Sequence, residues 1–201
     1  MKSIAKRLIL ILFLSLSSCR SFLPSEIRAL EHLEIFSLSE RKNAIILDGV
    51  INSSALIKFK ALHQEYKHIK HLIIINCDGS INDVVNLELS KYIYQNGFDI
   101  HLKDNGIIAS GGTDLFLAGH KRTKGNNTKI GVHSWAGISK TATDFPKGHA
   151  EHLPYINYYK SVGFSTQEAE AFYYFTINSA PAEDIHWMTD SELEKYKVLN
   201  H

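Results

Sequence analysis

The chain has 201 residues, with 22 Lys and Arg against 21 Asp and Glu, a formal net charge of +1, 44% hydrophobic residues and two cysteines. This is the length of one domain with enough apolar side chains for a sizeable core, which excludes wholesale disorder. The charge balance leaves no electrostatic footprint for nucleic acid, and two cysteines make neither a disulfide framework nor a CxxC zinc site.

The first 18 residues form a separate object. Lys2, Lys6 and Arg7 are followed by an apolar run from Leu8 to Leu16, broken only by Ser15. That is roughly half of the ~20 residues that span a bilayer, so the segment reads as a secretory signal peptide. Leu16-Ser17-Ser18-Cys19 resembles the bacterial lipobox. The resemblance implies cleavage before Cys19, lipidation of Cys19, and a chain anchored to a membrane of the cell envelope facing the periplasm. An ordinary cleaved signal peptide and an uncleaved anchor are the alternatives. Removal of 1–18 takes three basic residues and no acidic one, and leaves Cys77 with no cysteine to pair with inside the chain.

Residues 19–42 read as a tether and lead-in, and 43–201 as one domain. Ala44 to Leu47 is a short apolar run ended by Asp48-Gly49, a buried strand and its turn. Ser53 and Ser54 are placed to cap a helix whose apolar residues Leu56, Ile57, Phe59, Ala61 and Leu62 recur near a 3.6 period. His71 to Asn76 is a second buried strand, ended by Asp78-Gly79. Val84 to Gln95 is a helix closed by Asn96-Gly97. Phe98 to Leu102 and Gly106 to Ala109 read as two further strands, and the centre of Gly111 to Gly119 as a helix. Lys129 to His133 is a strand, and Thr166 to Asn178 an aromatic-rich helix. Thr189 with Glu192 three residues on predicts a capping box over a last short helix to Tyr196. Apolar strands without alternation, separated by helices, predict an α/β fold with a mostly parallel sheet covered by helices.

In such folds ligands bind beyond the carboxyl ends of the strands. Three of these ends carry chemistry: Asp78-Gly79-Ser80, Ser110-Gly111-Gly112 and His133-Ser134. Ser110 sits between a strand and a helix, with Ala109 before it and two glycines after it. A nucleophilic Ser needs that sharp turn and small neighbours for a carbonyl to approach. The Gly111 N–H lies at a helix start, where backbone donors are free and negative charge is favoured, so it suits an oxyanion. His133 is the residue type that activates a Ser hydroxyl. Each feature alone is commonly a structural turn or a scattered His; together with the Gly79 turn they form a set.

The order strand, Asn-x-x-Gly turn, helix, strand, Ala-Ser-x-Gly, helix, strand, x-x-His resembles the Clp-protease proteolytic subunit and its relatives in the Clp-protease/crotonase superfamily. The likeness runs from Ile45 to about Val198. Gly119-His120-Lys121-Arg122 followed by Ile130-Gly131-Val132-His133 is similar to its periplasmic and membrane-associated branch. The resemblance implies Ser110 as nucleophile, His133 as base, and the N–H groups of Gly79 and Gly111 as oxyanion donors. It also implies an acid after the long helix. Asp184 is the expectation, with Glu183, or no acid at all, as alternatives. Where cytoplasmic members have a second glycine in the first turn, this chain has Ser80. A Ser–Lys dyad is a further possibility, and no Lys holds a privileged position.

The expected function is an exported serine peptidase-like hydrolase acting on a peptide or protein, without metal or nucleotide cofactor, and self-associating by resemblance. The alternative is a catalytically inactive envelope binding or scaffold lipoprotein; acyl-CoA chemistry of the crotonase type is a third. The sets His63, His68, His71 and His149, Glu151, His152 lack HExxH spacing and read as solvated surface. A substrate-contacting role for Gly148 to His152 is a secondary expectation. The consecutive aromatics Phe172 to Phe175 read as a core helix, or else as an oligomer or substrate surface.

Overall fold

A computed structural model of the chain describes residues 24–137 and 139–200. The signal segment and Cys19 lie outside the described residues. Chain order is α1 (Pro24–Glu31), β1 (Phe36–Leu38), β2 (Ile45–Asp48), α2 (Ala55–Glu65), β3 (His71–Cys77), α3 (Asp83–Gln95), β4 (Asp99–Ala109) and α4 (Gly111–Phe116). It continues with β5 (Arg122–Lys124), β6 (Lys129–Val132), α5 (Leu153–Ser161), α6 (Thr166–Ser179), β7 (His186–Trp187) and α7 (Asp190–Lys195).

The strands form one sheet in the order β1-β2-β3-β4-β6-β7, with β5 also on β4. β2, β3, β4, β5 and β6 pair in parallel, whereas β1 on β2 and β7 on β6 are antiparallel. The apolar runs fill its centre: Ile45, Leu47, Leu72, Ile74, Leu102 and Ile108 are completely buried. Phe59 of α2 lies against Phe36 and Phe98, each 5.3 Å away between ring centres. Among the described residues no helix is long and apolar enough to cross a membrane.

Several elements differ from the sequence reading. The two strands expected at 98–102 and 106–109 are one strand, β4. Its first half pairs with β5 (Ile100 with Arg122) and its second with β6 (Ile107 with Lys129). The polar, exposed stretch Lys103 to Asn105 that broke the pattern is where β4 passes from one neighbour to the other, and the register with β3 shifts there too. Within the expected lead-in lie α1 and β1. Phe36 is buried on Phe59, and Ser39 Oγ takes the N–H groups of Asn43 and Ala44 to close the β1–β2 turn. The α2 cap also differs. Ser54 makes no side-chain cap; buried Asn52 accepts from the N–H and hydroxyl of Ser54 and donates to Leu30 and Leu33 carbonyls behind α1.

Two histidines expected on the surface are buried. His63 Nδ1 lies 2.9 Å from the Tyr92 hydroxyl, and desolvation lowers its pKa. His152 lies 3.1 Å by Nε2 from the Pro146 carbonyl and 2.7 Å by Nδ1 from the Tyr173 hydroxyl. A carbonyl only accepts, so the proton is on Nε2 and Nδ1 accepts from Tyr173. Tyr173 in turn accepts from the Trp135 indole at 3.0 Å. The capping box of Thr189 and Glu192 is present. Of the four consecutive aromatics, Phe172 and Tyr173 are buried, while Phe175 stacks on Tyr196 at 4.3 Å.

Candidate active site

Parallel pairing brings the three strand ends to one edge. Cys77 is level with Ile108, and Ala109 with Gly131. Gly79, Ser110 and His133 therefore follow at the same end of β3, β4 and β6. Ser110 is seated by its own N–H on the Gly131 carbonyl at 3.2 Å, and Thr113 Oγ1 donates to that carbonyl at 2.7 Å.

The Ser110 backbone is turned sharply, at φ 54° and ψ −127°, a conformation L-residues rarely adopt. Such strain persists where surrounding packing over-determines it, and it concentrates at functional turns. The packing is visible at Gly112, where a side chain would run into the Cys77 carbonyl and lie 2.9 Å from its sulfur. Cys77 itself is fully buried, and desolvation pushes its thiol up to about 12, so it is a packing residue and not a nucleophile. Gly79, at φ 145°, approaches so closely that an added Cβ would lie 3.3 Å from Ser110 Cβ.

The N–H groups of Gly79 and Gly111 have no protein acceptor among the described residues. The Gly111 carbonyl, by contrast, is held by the Asn86 amide at 2.9 Å, which fixes that peptide plane. Ser80, in place of the second glycine, turns its hydroxyl onto Asp83 Oδ1 and abuts Gly111.

Ser110, Gly111 and His133 line one cavity of about 40 Å³. His133 is half-buried. Desolvation lowers its pKa, opposed by backbone groups of Ser134 and Ala182 and by the charges of Asp83 and Glu183. Asp184 is not in the cavity wall. It is exposed, and its carboxylate accepts from the N–H of Ile185 at 2.8 Å.

The rest of the wall was not singled out in the sequence. It includes Asp83 of α3, Asp114 of α4, Tyr155 and Tyr159 of α5, Tyr173 of α6, and Trp135. The Tyr155 hydroxyl donates to Asp83 Oδ2 at 2.6 Å, and that of Tyr159 to Asp114 Oδ1 at 2.7 Å. Desolvation pushes the Asp114 carboxyl up to about 7, against the Tyr159 hydrogen bond, which pulls it down. Two signals were available. Asp114 lies one helical turn after Ser110, and Tyr155 and Tyr159 share a helix face at i, i+4.

No protein-family model matches the chain, and no curated protein does. Solved structures match. One is 1510-N, a membrane-bound stomatin-specific protease, in a lysine-to-alanine mutant form in complex with a substrate peptide. The TM-score is 0.52 at 21% identity, over 78% of this chain and 72% of that chain. A likeness at that identity speaks to the fold alone. The mixed, mostly parallel sheet with its helices is thus an α/β fold shared with that protease.

Proposed function

We propose that this chain is a serine peptidase-like hydrolase. Ser110 Oγ attacks a peptide carbonyl while His133 takes its proton. The N–H groups of Gly79 and Gly111 receive the oxyanion. His133 then gives the proton to the leaving amine, and the acyl ester on Ser110 is released by water that His133 activates. One observation carries the reading: a strained Ser at a helix start shares a cavity with a half-buried His, and the helix's first N–H has no acceptor among the described residues.

The lowered pKa of His133 supports it as a base that is neutral at pH 7. Asp184 has no orienting role in this reading, because its carboxylate is occupied at Ile185 and stands outside the wall. Backbone groups of Ser134 and Ala182 favour the protonated ring, with Asp83 and Glu183 acting through charge alone. Anchoring through Cys19 belongs to the same proposal and rests on residues 16–19; palmitate incorporation that disappears in Cys19→Ala tests it.

Hydrolysis of a quenched-fluorescent peptide library tests the chemistry. Cleavage by the wild type that drops at least a hundredfold in Ser110→Ala is expected. Cleavage undiminished in that variant assigns the activity elsewhere. No cleavage at all would favour the binding or scaffold role.

A further inference from the structure

The Ser110 cavity has an unusual charge balance. Among the described residues its wall holds two carboxylates, Asp83 and Asp114, and no Lys or Arg. Neither acid enters an ion pair among the described residues. Asp83 is satisfied at both oxygens, by Ser80 and Tyr155. Asp114 accepts from Tyr159 through Oδ1 only, and Oδ2 has no protein donor among the described residues. Carboxylates taken out of water are normally paired with a cation, and one left alone shifts its pKa upward instead. Asp114 shows that shift.

The remaining wall is aromatic, with Tyr155, Tyr159, Tyr173 and Trp135. Ring faces attract cations, most strongly where water is excluded. Acid and ring together select a positively charged group. The volume, about 40 Å³, is enough to admit a compact ammonium group.

We propose that the cavity beside Ser110 is a subsite for a primary ammonium group, a lysine side chain or the free amino terminus of a peptide, held against Asp114 and Asp83 within the aromatic wall. Its role in choosing the scissile bond rests on the peptidase reading; its binding of a cation does not. The ammonium donates to Asp114 Oδ2, the open acceptor, and the Tyr155 and Tyr159 hydroxyls keep both carboxylates in place.

The test is binding to the full chain at pH 8, followed through the amide resonances of Gly111 and Thr113. The probes are N-acetyl-lysine methylamide, alaninamide and the neutral N-acetyl-norleucine methylamide. At least one amine is expected to bind ten times more tightly than the norleucine compound, with the tenfold margin lost in Asp114→Asn and reduced in Asp83→Asn. Preference for the lysine compound assigns the side chain, and preference for alaninamide the chain terminus. Equal binding of norleucine and amines, or no shift with either amine, overturns the subsite without needing a variant to fold. A separate failure of Ser110 to react with an electrophile would sink the peptidase reading and leave the subsite standing.

Discussion

The Tyr155 hydroxyl donates to Asp83 Oδ2 at 2.6 Å, which ties α5 to the first turn of α3 at the wall of the Ser110 cavity. One helical turn further along α5, Tyr159 makes the equivalent bond to Asp114 on α4. The site is thus closed by a helix that supplies no nucleophile, base or oxyanion donor. The two bonds differ in their surroundings, because Asp83 is exposed and Asp114 only partly so.

That difference predicts unequal mutants. Tyr155→Phe leaves a carboxylate that water can reach, and should cost about 1 kcal/mol of stability. Tyr159→Phe strips the donor from a desolvated carboxyl and should cost about 2–3 kcal/mol. Urea unfolding of both variants checks the order. Equal losses would mean that the α5 bonds are equivalent.

The glycines after Ser110 should also differ. A Cβ on Gly111 meets the side chains of Ser80, at 2.6 Å, and Asn86, at 2.9 Å, whereas a Cβ on Gly112 meets the Cys77 main chain. Side chains can move and a buried strand cannot. Gly112→Ala should therefore cost about 3 kcal/mol or more, and Gly111→Ala about 1–2 kcal/mol. Thermal melting of the pair decides the ranking.

Asp114 predicts a pH dependence of stability. Its folded pKa, about 7, lies above the ordinary carboxylate value of 3.8. Between those values the folded chain holds a proton that the unfolded chain has lost, so this group's contribution falls as pH rises from about 4 through 7. His133, with a lowered pKa, acts in the opposite sense, and its contribution grows as pH rises towards 6.5. Asp114→Asn removes only the first effect. Its stability relative to wild type should therefore rise between pH 5 and pH 8, as read from urea midpoints. A constant difference would contradict the raised carboxyl.

Arg122 predicts a loss distant from the cavity. Its guanidinium donates to the carbonyls of Leu117, Gly119, Lys197 and Val198 and so holds the last segment on the fold. Lysine is a point charge and cannot reproduce that fork. Arg122→Lys should cost about 2 kcal/mol or more, with amide exchange accelerated at 196–200.

The strand ends were legible because their signals are local. Ala109-Ser110-Gly111-Gly112 announces a tight strand-to-helix turn, and Thr189 with Glu192 announces a cap; both act within four residues. β5 was not legible, since three polar residues become a strand only by lying along the first half of β4. β1 likewise depends on Phe36 finding Phe59 across the chain. The acids of the cavity wall went unnoticed for the same reason. Asp184 stands where the resemblance expects a carboxylate, but Asp83 and Asp114 reach the cavity wall through the docking of α5, which no spacing in the sequence encodes.

The proposed chemistry makes Ser110 a nucleophile activated by His133. Incubation with a fluorophosphonate, followed by intact-mass and peptide mapping, tests it most directly. A single adduct on Ser110 is expected, absent in Ser110→Ala and formed at least a hundredfold more slowly in His133→Ala. An adduct that persists in Ser110→Ala, or forms at the wild-type rate in His133→Ala, would contradict it.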